Sequence, residues 1–300
     1  MNIVYGGIAI SSLSWSFFDL SRKKLAQDLN PVAIVAWLTL FQGLCFLPFL
    51  AFDIWIQPTS NYWLPFAASV ALNAFANIWF VEAVTLAPFS LAIPILSLTP
   101  VFSSIGAIFV LNETLSLKQA LGIAIIVAAT LGIGYFGTKS IQKSNTVNAD
   151  HSDSNGHDPK SVRKGLFLMA IVALLFALTP VVDKLCLRTM PSSEHGAIQS
   201  FATAACLAIW IRIRGGGLPF AVVRSRAVWF IAAIVFATLA VYFQFWSIQS
   251  ISVGIFEALK RSCGLITALV LGYFVFKEAF NLTKLVLVCL MGVGIFILLT

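Results

Sequence analysis

Ten apolar runs, each about as long as a bilayer is thick, constrain this chain more than any other feature of its sequence. A helix needs roughly 20 apolar residues to cross about 30 Å of hydrocarbon. In lipid, every backbone polar group must find its partner within the protein, so we interpret each run as a helix. The predicted spans are 3–21, 32–52, 62–86, 90–111, 117–137, 165–187, 196–213, 227–250, 254–276 and 282–299.

The composition excludes a soluble protein. Hydrophobic residues make up 59% of the 300 positions and charged residues only 10%, whereas soluble domains are about half apolar and a quarter charged. The net charge of +7 does not indicate a nucleic-acid partner, because the basic residues lie between the apolar runs. The five cysteines also lie in or beside these runs, where they are expected to act as small buried hydrophobes.

The sequence predicts two halves joined by a polar segment. Residues 138–164 are predicted to form a disordered linker between a first five-helix repeat, 1–137, and a second, 165–300. The sequence Phe109-Val-Leu-Asn-Glu113 returns as Phe274-Val-Phe-Lys-Glu278, at a spacing of 278 − 113 = 165. Because five is odd, the second repeat enters the bilayer from the opposite side. Inverted repeats around a central cavity are typical of secondary transporters.

Basic residues predict the orientation of the chain. Cytoplasmic loops of membrane proteins carry an excess of Lys and Arg. The even-numbered loops carry only Lys118, Lys184 and Arg188. We therefore expect the odd-numbered loops in the cytoplasm and both termini outside. The odd-numbered loops carry fourteen basic residues: Arg22, Lys23, Lys24, Lys139, Lys143, Lys160, Arg163, Lys164, Arg212, Arg214, Arg224, Arg226, Lys277 and Lys284.

Short motifs around helix four resemble a known family. They are Glu82-Ala-Val-Thr-Leu-Ala-Pro88, then Pro94 and Pro100, then Asn112-Glu113 with Gly122 nine residues later. With the weaker echo at Lys277-Glu278, the whole chain resembles the EamA-type, ten-helix members of the drug/metabolite transporter (DMT) superfamily. The resemblance implies a central cavity between the two halves and alternating access. Many members of that family keep both termini in the cytoplasm, whereas the basic residues here predict both outside.

Helix nine carries three charges within the expected hydrocarbon. Glu257, Lys260 and Arg261 are three and four residues apart, so they share one helix face. A charge at a helix centre costs from about 2.5 kcal/mol upward, so it needs a partner, water or a function. One interpretation is a self-neutralised pair with one spare positive charge. The other is a cationic patch that lines a wet cavity and binds an anionic or zwitterionic substrate.

A narrower resemblance supports an alternative substrate. The pair Lys260-Arg261 is similar to the phosphate-binding pair of the plastid sugar-phosphate translocators, which also use lysines near the ends of helices one and six. Lys23-Lys24 and Asp183-Lys184 occupy similar places here. This resemblance implies a phosphate-ester exchanger of the same superfamily, and it remains the second hypothesis beside amino-acid-like substrates and organic anions.

Polar and aromatic side chains on other helices complete the candidate site. As a structural alternative, the Ser and Asn residues form interhelical hydrogen bonds and the aromatic residues pack or anchor at the interface. Four further charges, Asp19, Asp183, Lys184 and Glu82, are candidates for coupling or gating, whereas Glu113 and Glu278 are expected to cap helices. The candidate substrate-binding residues beside helix nine are Ser12, Trp15, Ser16, Asn73, Asn77, Tyr242, Gln244 and Trp246.

No catalytic, metal or nucleotide-binding motif is found in the sequence. We therefore expect no enzyme activity and no cofactor, and we predict a secondary transporter of small metabolites, a permease or exporter, in the cell (inner) membrane. Its partners would be the lipid bilayer, a small molecule and H⁺ or another coupling ion, with the chain as a monomer or homodimer. The competing classes are a membrane enzyme acting on lipid and a receptor that does not transport.

Overall fold

The computed structural model describes residues 2–25, 31–50, 56–87, 92–147, 159–218, 220, 223–224, 226–276 and 282–299. Ten α-helices account for nearly all of this described part. They are α1 Asn2–Leu25, α2 Pro31–Leu50, α3 Ser60–Leu86, α4 Thr99–Leu111, α5 Leu117–Val147, α6 Pro159–Cys186, α7 Ser192–Ile213, α8 Ala227–Ser250, α9 Val253–Phe276 and α10 Leu282–Leu299.

The outer surface of the helices is apolar, as a lipid-facing surface requires. Leu64, Phe109 and Val228 are 81%, 80% and 77% exposed. Within the described residues, six helices are long and apolar enough to cross a membrane, namely α1, α2, α3, α6, α7 and α8, and shorter apolar stretches lie in α4, α5 and α10. The prediction of an all-α membrane protein with ten helices is confirmed.

Prolines shape the fourth helix. A 3₁₀ segment, Ile93–Leu98, precedes α4 and contains Pro94, and Pro100 lies in the first turn of α4. Proline has no N–H to donate, so it is favoured in the first turn of a helix, where the N–H groups have no partner within that helix. The helix ends at Leu111, where Asn112 takes a left-handed conformation with φ of 56°. Asn tolerates this conformation better than most residues, so it stops the helix here.

The polar segment 138–164, which the sequence predicted to be a disordered linker, is helical at both of its ends. Helix α5 continues to Val147 and α6 already begins at Pro159, so 138–147 and 159–164 are helical. The stretch after Gly137 has ordinary helix formers such as Ile141 and Gln142, and a helix can extend past its apolar part into water. Residues 148–158 lie outside the described part, and so does the Lys277-Glu278 motif.

Equivalent helices of the two halves run antiparallel. In α2 and α7, Gly43 faces Phe201, while Gly196, earlier in α7, faces Phe46, later in α2. The same reversal pairs α5 with α10, where Gly122 meets Leu298 and Gly132 meets Leu287. It also pairs α4 with α9, where Gly254 meets Ser104 and Arg261 meets Thr99. Two equivalent helices can lie antiparallel only if the repeats are inverted, so the inverted five-plus-five architecture is confirmed.

Contacts between non-equivalent helices also occur in symmetric pairs. Helix α1 packs along α8 in the same way as α6 packs along α3. Likewise, α1 contacts α9 as α6 contacts α4, and α2 contacts α8 as α7 contacts α3. The two halves therefore interlock around a pseudo-two-fold axis.

One end of the bundle is called the Asn112 end. Helices α3, α7 and α9 begin there, and helices α4, α6 and α8 end there. The opposite end is called the Arg214 end.

Candidate functional site

Glu257 and Lys260 of α9 form an ion pair inside the protein. Their side chains are 1% and 15% exposed, and the Lys260 ammonium contacts the Glu257 carboxylate one turn earlier in the helix. A buried carboxylate without a partner would be strongly unfavourable, so the pair accounts for both residues being tolerated at this depth. The structure thus shows the pairing that their three-residue spacing allows.

Helices α1 and α8 bring further groups to Lys260. The indole Nε1 of Trp15 donates to Gln244 Oε1 at 3.1 Å, and Lys260 Nζ lies 3.4 Å from the same oxygen. The ammonium also lies 5.5 Å from the ring centres of Trp15 and Phe256, within the range of a cation–π contact. The lysine is therefore held by one carboxylate, one amide and two aromatic faces.

Arg261 points to a different helix. Its Nε donates to the Thr99 hydroxyl at 3.0 Å, which links α9 to the start of α4 in the other half of the protein. Within the described residues, no carboxylate is paired with this guanidinium, and the residue is only partly buried. Together, Trp15, Thr99, Gln244, Glu257, Lys260 and Arg261 form what we call the α9 cluster.

Of the other predicted residues, the two serines of α1 lie closest to this cluster. Ser12 is fully buried and adjoins Cys263, and the hydroxyl of Ser16 faces Gly264 of α9. The Ser16 hydroxyl donates to the backbone carbonyl of Ser12 at 3.0 Å, so it is already partly satisfied within α1.

The remaining candidates are engaged elsewhere. Asn77 Nδ2 donates to Asn73 Oδ1 at 2.8 Å along α3. Tyr242 stacks on Phe49 with ring centres 5.3 Å apart, and Trp246 packs against Gly7. Both asparagines and both aromatic residues are half-buried, and their contacts within the described part of the chain do not reach the α9 cluster.

Two of the predicted gating charges lie near the Arg214 end, in exposed ion pairs. Asp19 accepts a hydrogen bond from Arg22 at 3.1 Å, and its side chain is 58% exposed. Glu82 lies 3.6 Å from Lys164. Exposed ion pairs of this kind contribute little to stability, on the order of 0–1 kcal/mol.

Lys184, at the Asn112 end, connects three helices. Its ammonium donates to Glu113 Oε1 and to the backbone carbonyl of Ile251, both at 2.7 Å. The other oxygen of Glu113 accepts from the backbone N–H of Val253, the first residue of α9, at 3.2 Å. Glu113 therefore caps a helix, and the helix is α9 of the other half. Lys184 and Glu113 tie the ends of α6 and α4 to the start of α9.

A buried polar network around Asp183 is the feature that sequence reasoning missed. The Asp183 carboxylate accepts from the Ser69 hydroxyl and from Gln199 Nε2 (2.7 Å), and it lies 3.4 Å from His195 Nε2. On the far side of the imidazole, His195 Nδ1 is 3.0 Å from the Tyr62 hydroxyl. These five residues, which we call the Asp183 network, join α3, α6 and α7. Only Asp183 was a sequence candidate. His195 lies 12 residues later, across the turn between α6 and α7, and the sequence placed it beside a loop.

A cavity of about 590 Å³ opens between α2, α3 and α7 near the Arg214 end. It contains only one of the predicted residues, Glu82, and it is separate from the α9 cluster. Its walls come from α2 and α3 of the first half and from α7 of the second half. We assign no substrate contact to this cavity, because no residue of the α9 cluster lines it. Its lining residues are Val32, Ile78, Val81, Glu82, Trp210, Ile211, Arg214 and Gly216.

Metal ligands do not cluster in the described part of the chain, where no group of three or more His, Cys, Asp or Glu side chains could hold an ion. The charged groups instead occur as ion pairs and hydrogen-bonded networks between helices.

The fold defines a polytopic membrane protein built from two inverted five-helix repeats with charged groups between the helices. The model of the EamA-like transporter family matches residues 2–135 and 163–300. This chain therefore belongs to the EamA-like transporter family of the DMT superfamily and is a small-molecule membrane transporter.

Comparison with solved structures supports the fold. A structure titled "Crystal structure of protein" superimposes with a TM-score of 0.75 over 99% of this chain and 96% of that chain, at 17% identity. No curated protein matches the chain.

Proposed function

We propose that this transporter carries small zwitterions or organic monoanions, such as amino-acid-like metabolites, and that the α9 cluster contacts them. The single observation that carries this proposal is the position of Arg261. Its guanidinium lies between the two halves, is partly exposed and is bound only to a neutral hydroxyl in the described part of the chain. A guanidinium binds a carboxylate through two parallel hydrogen bonds, so a substrate carboxylate can take the place of Thr99.

The charge of the cluster supports a substrate with little net charge. Glu257 neutralises Lys260, which leaves the cluster with one positive charge at Arg261. A monoanion or a zwitterion matches that charge, and the indole of Trp15 supplies an apolar face for the rest of the molecule.

A phosphate ester with two negative charges is matched less well. The second lysine that a phosphate site would use, Lys184, is bound to Glu113 and Ile251 at the Asn112 end.

The inverted architecture supports alternating access as the mechanism. Symmetric halves can rock against each other so that a site between them faces each side of the membrane in turn. Arg261 belongs to α9 and Thr99 to α4, in different halves of the protein. In the proposed mechanism, a movement of one half against the other therefore changes the distance between them. Substrate binding at this point is therefore linked to the movement.

The direct test is transport by the purified protein in liposomes. We expect exchange of labelled alanine, leucine or lactate, weaker exchange of succinate, and little exchange of glycerol phosphate. Failure to move any of the five compounds contradicts the proposal, while preferential exchange of glycerol phosphate favours the phosphate-ester alternative.

Arg261→Gln provides the residue-level test. Loss of the guanidinium removes a charge-assisted pair worth about 1.5–3 kcal/mol, so we expect roughly 10–150-fold weaker substrate binding. The melting temperature of the substrate-free protein should change little, because the Thr99 hydroxyl can still pair with the new amide. Lys118→Gln, which removes an exposed charge far from the cluster, is the matched control. Equal loss of folding and binding would assign Arg261 to structure alone.

A further inference from the structure

We propose that the Asp183–His195 pair binds a proton, and that this proton drives the movement of the substrate proposed above. The inference rests on the proposed transport function but concerns a separate site. Asp183 lies in the last turn of α6 and His195 in the first turn of α7, at the Asn112 end, and the α9 cluster lies deeper in the membrane.

Both groups are sealed from solvent. Their side chains are 2% and 0% exposed, and the ring of His195 is surrounded by aromatic side chains. The ring centre of Phe245 lies 5.0 Å away, that of Tyr62 5.9 Å and that of Phe66 6.5 Å. An acid and a histidine in such surroundings are rare in a membrane protein unless they serve transport of charge.

The hydrogen bonds accommodate two protonation states. With Asp183 ionised and His195 neutral, Nε2–H faces the carboxylate, and Nδ1 accepts from the Tyr62 hydroxyl. When one proton binds, the imidazolium donates from both nitrogens, and the Tyr62 hydroxyl turns to accept. Ser69 and Gln199 keep donating to the carboxylate in both states. Every member of the network therefore keeps at least one hydrogen bond within it when the proton enters.

Burial of the pair links proton binding to the conformation of the Asn112 end. Without the proton the pair carries a net negative charge, and with it the pair is neutral. An uncompensated charge is costly in a dry interior but not in water, so the closed Asn112 end binds the proton more tightly than an open, hydrated end. By linkage, proton binding favours closure of this end by the same free energy. Histidine is suited to this role because its ordinary titration lies near physiological pH.

Among the residues that the structure describes, the titratable groups next to the pair do not supply the missing positive charge. Helix α3 contributes Tyr62, α6 contributes Cys186 and α7 contributes Glu194, which accepts a hydrogen bond from the backbone of Ile56. Helices α2 and α8 present the rings of Phe46 and Phe245. Each of these groups is neutral or negative, so none of them repels a positive charge on His195.

The adjacent residue connects this site to α9. Lys184 follows Asp183 in α6, and it binds Glu113, which caps the first residue of α9. Opening of the Asp183 network shifts the end of α6, and Lys184 transmits that shift to the helix that carries Lys260 and Arg261. The proton and the substrate can therefore influence each other without sharing a site.

The proposal is tested by measuring substrate accumulation in liposomes under an imposed pH gradient. The liposomes are loaded with a pH dye, and the membrane potential is clamped. A pH gradient of about one unit can support up to about tenfold accumulation of a neutral substrate at one proton per molecule. We expect the wild type to accumulate the best-exchanged compound of the panel when the gradient is imposed in one direction, with matching proton flux. Exchange without accumulation in either direction overturns the inference but leaves the proposed transport function intact.

Two variants locate the proton site. Asp183→Asn and His195→Gln keep hydrogen-bonding groups in place but cannot carry the proton between them. We expect both to lose pH-driven accumulation while retaining exchange, and Lys118→Gln to behave as the wild type. Accumulation retained by both variants overturns the assignment. If Asp183→Asn does not fold, His195→Gln alone decides, because its amide can still donate to Asp183.

Discussion

Each member of the Glu257–Lys260 pair depends on the other for its burial. Glu257 is 1% exposed, and the ammonium beside it is its only positively charged contact among the described residues. Removing one charge leaves the other buried and unpaired, which costs far more than removing both.

We therefore expect Lys260→Gln to destabilise the protein by about 3–5 kcal/mol, and the double change Glu257→Gln with Lys260→Gln to restore most of that loss. Unfolding in detergent, followed by circular dichroism for the wild type, both single variants and the double variant, gives the coupling free energy. Additive effects of the two single changes would mean that the pair is not coupled in the folded protein.

At the scale of single residues, sequence reasoning works best within one helix. The three-residue spacing of Glu257 and Lys260 places them side by side, and the structure pairs them. The contact between Arg261 and Thr99 joins residues 162 positions apart, so no local pattern contains it. The Tyr62–His195 contact is also long-range, across 133 positions, whereas Asp183 and His195 lie only 12 positions apart, on either side of the turn between α6 and α7.

Helices α9 and α4 approach each other closely at one glycine, Gly254. A Cβ added at Gly254 would lie 2.0 Å from the hydroxyl oxygen of Ser104 and 3.0 Å from its Cα. The hydroxyl can rotate away, but the backbone of α4 cannot. Small residues let helices in membranes pack this closely.

Gly254→Ala should therefore push α9 away from α4 and destabilise the protein by about 1–3 kcal/mol. Gly292→Ala in α10 is the matched control, since an added Cβ there meets nothing within 4 Å. The control should be neutral or stabilising by up to about 1 kcal/mol, because alanine favours the helix. Melting temperatures in detergent compare the two, and equal values would rule out a tight crossing at Gly254.

Hydrophobicity predicted the ends of a helix correctly where the helix stops at the edge of the lipid. It failed where the helix continues beyond the lipid into water. Helix α8 has the predicted bounds of 227–250. Helix α5 passes its predicted end at 137 and runs to Val147, because polar residues such as Gln142 can remain helical outside the hydrocarbon. Helix α7 starts at Ser192 instead of 196, because its first turn is polar but packed inside the protein, with Glu194 and His195 both buried.

The whole molecule has a symmetric backbone and an asymmetric distribution of charge. With the 165-residue spacing of the repeat, Lys260 and Arg261 correspond to Ile95 and Leu96 in the first half. All three charges of the α9 cluster therefore come from one half, and the other half contributes uncharged groups such as Trp15 and Thr99. In the proposed mechanism, the duplicated scaffold supplies the movement, and the second half supplies the charged groups that bind substrate.

The basic residues predict that the Arg214 end of the molecule faces the cytoplasm and the Asn112 end faces outside. Single cysteines at Asn112 and Arg214, in a variant without the five native cysteines, probe the two ends, and both positions are exposed. We expect a membrane-impermeant maleimide to label position 112 in intact cells and position 214 only after lysis. The opposite pattern would place both termini in the cytoplasm.

Antiparallel pairing of equivalent helices has a geometric consequence for the second state of the proposed transport cycle. The contacts of α2 with α7, α4 with α9 and α5 with α10 lie on the pseudo-two-fold axis, so each maps onto itself when the halves exchange conformations. The α1–α8 and α3–α6 contacts instead map onto each other. A model of the opposite-facing state can thus be built by giving each half the shape of its twin, with the axial contacts as the pivot.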